Sequence, residues 1–132
     1  MIRMKKTFGA LAFILLLGGC VTGSGPQYSL ATGEKGVFTS RNPGTPIPAD
    51  RIKGMDEQQL ATTFGAAALD RKDEPARVLR YQSDACTLFV SLYRRDGTVW
   101  RAEFADAYDT HLRPLPTDQC AGSVAAQKRR VA

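Results

Sequence analysis

The clearest alternation in the chain runs from Cys86 to Tyr93. Cys86, Leu88, Val90 and Leu92 fall on one side, and Thr87, Phe89, Ser91 and Tyr93 on the other. A period of two sustained over this length predicts a strand with one buried face. Residues 77–82 carry a weaker form of the pattern, with Leu79 and Tyr81 on one face. Residues 98–105 predict a third strand with Trp100, Ala102 and Phe104 on a common face. Arg94-Arg95-Asp96-Gly97 lies between the last two, and its Asp-Gly pair is a strong hairpin signal. Short connections make the three an antiparallel meander.

The spacing changes before the strands. Asp56 is a good helix N-cap, and Gln59 three residues on completes a capping-box pattern. Leu60 and Phe64 supply an apolar stripe, and Gly65 suits the position that ends a helix, so residues 57–64 predict a short helix. Residues 66–74 read as a polar loop whose run Asp70-Arg71-Lys72-Asp73-Glu74 is a solvated surface. A second short helix is expected from Thr117, with Lys128-Arg129-Arg130 as a frayed basic end. The fold class expected is α+β: a short helical segment packed on a three-stranded antiparallel meander. Its bounds are 49–122, with a tail over 123–132. The helix must cover one sheet face, because a lone small sheet buries too little surface.

The N-terminal part has a different character. Arg3, Lys5 and Lys6 precede a ten-residue apolar run from Phe8 to Leu17, then Gly18, Gly19 and Cys20. This is the layout of a secretory signal peptide, and the run is shorter than the roughly 20 residues that span a bilayer. Leu17-Gly18-Gly19-Cys20 resembles a lipobox, the cleavage signature of bacterial lipoproteins. The resemblance implies cleavage after residue 19 and lipid on the Cys20 thiol, with several acyl chains giving the firm anchoring that one chain does not. Val21 follows where an Asp would resemble an inner-membrane retention signal, which favours the outer membrane. Residues 21–48 hold five Gly, four Pro and three Ser. Such a composition predicts a flexible tether with a reach of about 30 Å. Docking of Val37-Phe38 on the domain or on a partner is the alternative to solvation that the pattern leaves open.

Charge and cysteine usage sharpen the picture. The formal net charge is +5, but outside residues 1–19 there are 15 basic against 13 acidic residues. That is no footprint for nucleic acid. Of three cysteines, Cys20 is assigned to lipid. Cys86 and Cys120 remain, and in an oxidising compartment they are expected to pair, two free thiols being the alternative. A domain this small has a thin core and commonly needs such a staple.

The run Gly54-Met55-Asp56 through Phe64-Gly65, followed by Pro75 to Tyr81 and Cys86 to Tyr93, resembles the SmpA/OmlA family of small outer-membrane lipoproteins. It is also similar to a group of α-proteobacterial lipoproteins with such a cysteine pair. In the family, Gly-Met opens a helix closed by Leu-Gly-x-Pro, and an aromatic-rich strand follows. Here Ala67 stands in place of the Pro, and Leu79 where Trp is common. The resemblance covers about 50 residues. It implies a helix on a three-stranded sheet and an accessory, non-catalytic role in the machine that inserts β-barrels.

No catalytic constellation accompanies this. His111 is the only histidine and sits in a polar segment. Asp106 and Asp109 are three apart but read as solvated loop residues. No phosphate loop, zinc spacing or calcium loop is present, so neither cofactor nor metal is expected. What remains is binding. Phe89 and Tyr93 lie opposite Leu88 and Val90, and together with Arg94 and Arg95, and near Arg80, they are the residue types that anchor interfaces. The pattern leaves open whether they face outward or lie under the linker or the C-terminal segment. The partners expected are a membrane, through the lipid, and an envelope protein such as the barrel-assembly machine. The second class of function is a binding module for peptidoglycan or for a periplasmic enzyme.

Overall fold

The computed structural model describes residues 34–95 and 97–131. The signal peptide, Cys20, the start of the tether and Asp96 lie outside the described residues. The elements in chain order are α1 (Ala49–Ile52), α2 (Glu57–Phe64), β1 (Leu69–Asp73), β2 (Ala76–Gln82), β3 (Thr87–Tyr93), β4 (Arg101–Tyr108), β5 (Pro114–Leu115) and α3 (Thr117–Val131). The strands form one antiparallel sheet in the order β1-β2-β3-β4-β5. The α+β class holds, but the sheet has five strands where three were expected.

Helix α2 forms where its caps place it. The Asp56 carboxylate accepts from the Gln59 amide at 2.8 Å, and the Gln59 side chain accepts from the Asp56 amide at 2.9 Å. Gly65 ends the helix at φ 81°, a conformation that suits glycine. Leu60 and Phe64 are buried beneath it. The turn before α2 is tied to the sheet, since Gly54 N donates to Ala102 O and Ala102 N to Met55 O.

Strand β3 alternates as expected. Leu88, Val90 and Leu92 are fully buried against the helices, with Leu79 and Tyr81 beside them from β2. Strand β4 departs from expectation. Ser91 pairs with Phe104 but Leu92 pairs with Ala102, so Glu103 is an extra residue in β4. This β-bulge reverses the sides along the strand. Ala102, Ala105 and Ala107 line up with Leu92, Val90 and Leu88, and Phe104 is turned to the other face, 58% exposed. The common face expected for Trp100, Ala102 and Phe104 therefore fails at Phe104. The strand also starts at Arg101 and runs to Tyr108.

Two further strands were not expected. The charged run in 66–74 forms β1, an edge strand exposed at every position. Its charges are partly matched: Arg71 pairs with Asp73 at 2.6 Å, and Arg77 bonds Asp70 at 2.7 Å and also pairs with Glu57. Charge on an edge strand discourages pairing with another chain. At the other edge is the two-residue β5. The β4–β5 turn is built on Asp109. Its carboxylate accepts from the His111 amide at 2.8 Å, the Arg113 amide at 2.9 Å and Arg113 Nε at 2.7 Å.

Burial pushes the Asp109 carboxyl up, but the bonds from Arg113 and His111 outweigh it and hold it below the usual carboxylate range. A carboxyl lowered by folding contributes stability above its unfolded pKa of about 3.9, and that contribution is lost as pH falls through the folded value. Asp109→Asn is therefore expected to lower stability at pH 7 and to flatten the loss of stability in acid. Urea melts across that range check it, and an acid limb unchanged by the substitution contradicts it.

The C-terminal helix is longer than expected. Cys120, Ala121, Ser123, Val124, Ala125 and Ala126 of α3 are buried, so the helix packs as far as Ala126, and its backbone runs on to Val131. Lys128 donates to the Ala61 and Thr62 carbonyls at the end of α2, a structural contact where a frayed end was expected. Residues 34–48 also join the fold. Gly36 N donates to Pro114 O and Ile47 N to Asp118 O, Ser40 Oγ donates to Asp84 at 2.7 Å, and Phe38 and Ile47 pack on the core. Val37 stays 80% exposed. The packed unit thus extends beyond 49–122 at both ends.

Cys86 and Cys120 form a disulfide with their Cα atoms 5.9 Å apart. It joins the start of β3 to α3.

Candidate functional site

All three helices contribute to the core on one side of the sheet. On the other side the strands present Arg80, Phe89 and Asp106 as one row of neighbours, and Val78, Ser91 and Phe104 as the next. Thr87 pairs with Tyr108 and Tyr93 with Arg101 beyond these rows. No helix among the described residues has a buried position in this face.

Four aromatic rings on this face form two edge-to-face pairs across β3 and β4. Phe89 and Tyr108 have centroids 5.9 Å apart, and Tyr93 and Phe104 are 6.2 Å apart. Each pair joins diagonal neighbours, which is within reach of aromatic side chains. Such edge-to-face pairs contribute about 0.5–1.5 kcal/mol beyond the area they bury. Phe89, Tyr93 and Tyr108 are half-buried and Phe104 is exposed.

Of the expected binding residues, Phe89 and Tyr93 face outward together. Arg95 borders the Tyr93–Phe104 pair, sharing with it a cleft of about 400 Å³, and its guanidinium bonds Glu103 at 2.9 Å. Arg94 also reaches that cleft, but its guanidinium lies 4.5 Å from the centre of the buried Trp100 ring and pairs with Glu74. Arg94 is thus engaged in packing at the rim. Both ion pairs hold their carboxyls, Glu103 and Glu74, below the usual range through the hydrogen bond from the arginine. The aromatic face is therefore bordered by matched charges.

Arg80, next to Phe89, has a buried Nε with no hydrogen-bond partner among the described residues. Phe104 and Tyr108 are additions to the face that sequence reasoning missed. Phe104 was hidden by the bulge, and Tyr108 lay past the expected end of the strand. Counted from Trp100, a period of two puts Phe104 on the buried face, and the extra residue Glu103 turns it to the other side.

The other candidates are not assembled into a site. Asp109 is committed to its turn, while Asp106 is exposed on the sheet face. His111 lies in the turn with its backbone amide on Asp109. Among the described residues no group of three or more His, Cys, Asp or Glu is placed to hold a metal ion, and no helix is long and apolar enough to cross a membrane. No protein-family model, curated protein or solved structure matches the chain.

Proposed function

We propose that the protein is a lipid-anchored envelope lipoprotein that acts as a non-catalytic accessory subunit, docking a protein partner through its aromatic sheet face. The observation that carries this reading is the paired array of Phe89, Tyr108, Tyr93 and Phe104 on the face away from the helices. Aromatic anchors with arginine at the rim are the composition of interface hot spots. The Leu17-Gly18-Gly19-Cys20 sequence supports a lipid anchor, and a Cys86–Cys120 disulfide is at home in an exported protein.

The resemblance of residues around Gly54-Met55 and Phe64-Gly65 to the SmpA/OmlA lipoproteins supports a place in β-barrel assembly, at the inner leaflet of the outer membrane. In this reading the lipid on Cys20 confines the domain near the bilayer. Confinement raises its effective concentration at a membrane-bound partner.

The anchor has a direct test. Cys20→Ser is expected to leave an uncleaved precursor that incorporates no labelled palmitate. Normal labelling and maturation of the substituted protein rule the anchor out. The partner is tested by purifying the lipidated protein from solubilised envelopes. Barrel-assembly subunits are expected to co-purify, in a manner lost on Phe89→Ala together with Phe104→Ala. Peptidoglycan fragments or a periplasmic enzyme in their place point to the other class of binding module.

A further inference from the structure

Two exposed aliphatic side chains sit at one corner of the molecule, where the chain enters the domain. Leu112 is 74% exposed and Val37 80% exposed. Gly36 N donates to Pro114 O at 2.9 Å, and a Cβ on Gly36 would lie 2.8 Å from both Asp109 Oδ2 and Leu115 Cδ2. Residues 35–37 therefore run against the β4–β5 turn that carries Leu112. Phe38 turns in to the core, while Lys35 and Val37 stay outside.

Leu112 suits its own position badly. Its φ is 60°, in the left-handed region that glycine or asparagine occupies at least cost. No other non-glycine residue among the described residues is so placed. The turn does not use the leucine side chain. Its bonds run from the His111 and Arg113 amides to the Asp109 carboxylate, and from the Leu112 amide to Asp109 O at 3.0 Å. A single exposed leucine is ordinary. One that also carries backbone strain, beside a second exposed aliphatic, points to a surface outside the domain that covers it.

The approach of the chain indicates which surface. Fourteen residues lead from Cys20 to Glu34, a length that spans at most about 50 Å. They reach the fold at this corner, so a bilayer holding Cys20 is tethered to this corner before any other part of the domain.

We infer that the corner formed by Val37 and Leu112 inserts into the boundary between headgroups and acyl chains of the membrane that holds the anchor. The inference rests on the lipid anchor proposed above. Charges at the corner are of both signs. Glu34 and Lys35 are neighbours on the approaching chain, and Arg113 bonds Asp109 at 2.7 Å. Apolar burial carries the contact, and acidic headgroups are not required.

The test reconstitutes the lipidated protein in phosphatidylcholine vesicles whose acyl chains are brominated near the headgroup and quench tryptophan on contact. The single native tryptophan, Trp100, is 5% exposed and supplies the baseline. Leu112→Trp and Val37→Trp are each expected to lose about half or more of the added emission, as follows from interfacial depth. Thr62→Trp is expected to lose none, since it lies at the far end of α3, where Lys128 donates to the Thr62 carbonyl. Leu112→Asn suits the left-handed backbone and should leave circular dichroism unchanged. It is expected to weaken insertion, read from a Val37→Trp probe, about tenfold.

Protein that floats with the vesicles but shows no quenching at position 112 overturns the inference and leaves the anchor standing. Quenching at position 62 equal to that at 112 overturns it too, as does a Leu112→Asn protein that inserts normally. Blue-shifted emission at 112 without loss to bromine means that protein covers the corner, which also overturns it. Protein that carries no acyl chain and does not float refutes the anchor, and the inference falls with it.

Discussion

Removing the disulfide by Cys86→Ala together with Cys120→Ala is expected to cost about 4 kcal/mol, from the loop-closure entropy of a cross-link over a separation of 34 residues. That is a large share of the 5–15 kcal/mol of a typical domain. The dependence is strong here because of what α3 buries. Ala121, Ser123, Ala125 and Ala126 are all buried, and each contributes little apolar area, so the helix gains less from packing than a Leu-rich one. Val124 is its one large buried aliphatic among the described side chains. The Cys120 link, fully buried, holds this weakly adhesive helix to the start of β3. Denaturant melts of the substituted and native proteins measure the loss, and reductant should reproduce it in the native chain. A loss below about 1 kcal/mol, set against the roughly 4 expected from the entropy argument, means that α3 is held by other contacts.

The second large effect is expected at Gly122. A Cβ at this position would lie 2.4 Å from the Thr45 carbonyl oxygen. From the opposite side, Gly44 sits at φ 64°, and a Cβ there would lie 2.2 Å from the Gly122 oxygen. Two backbones touch with no side chain between them, so no rotamer change can relieve the clash. Gly122→Ala is expected to destabilise by about 3 kcal/mol, the upper part of the range for overpacking, or to lift residues 34–48 off α3. Limited proteolysis within 34–48 distinguishes the second outcome from simple unfolding. Gly54→Ala is the comparison: its φ is 87° but its Cβ would meet nothing within 4 Å. It should cost only the roughly 1–2 kcal/mol of a left-handed backbone. Equal losses at the two positions would show that the close approach of α3 to Thr45 is unimportant.

The elements legible in the sequence are those in which a local rule and the global packing agree. The Asp56–Gln59 capping box and Gly65 bound α2 because the signals that form the ends of a helix lie within a few residues of each other. Strand β3 is legible because it is central and buried on one face, so Leu88, Val90 and Leu92 alternate cleanly. The Cys86–Cys120 pairing was expected from the assignment of Cys20 to lipid and from an expected oxidising compartment, and the bond is present.

Other elements depend on partners distant in sequence. Strand β1 carries no apolar alternation, because an edge strand is held by its neighbour's backbone and its side chains can all be charged. The bulge at Glu103 leaves no composition signal, yet it decides which way Phe104 points. Helix α3 hides behind Ala, Gly and Ser, and at Gly122 the missing side chain lets Thr45 approach. For the same reason residues 34–48 read as tether: Gly36 and Gly44 mark close contact as readily as flexibility. Half of the candidate face followed the same division. Phe89 and Tyr93 were readable from β3, and Phe104 and Tyr108 were not.

In the proposed function the aromatic face of Phe89, Tyr93, Phe104 and Tyr108 carries the contact with an envelope partner. Its most direct test places a photo-activated cross-linking amino acid at position 104 in the full chain, expressed in its own envelope, with a matched probe at position 62 on the exposed side of α2. A discrete adduct with an envelope protein is expected from position 104 and none from position 62, with the adduct lost on Phe89→Ala in a chain that still folds. An adduct from position 62 alone, or no adduct from position 104, would contradict it.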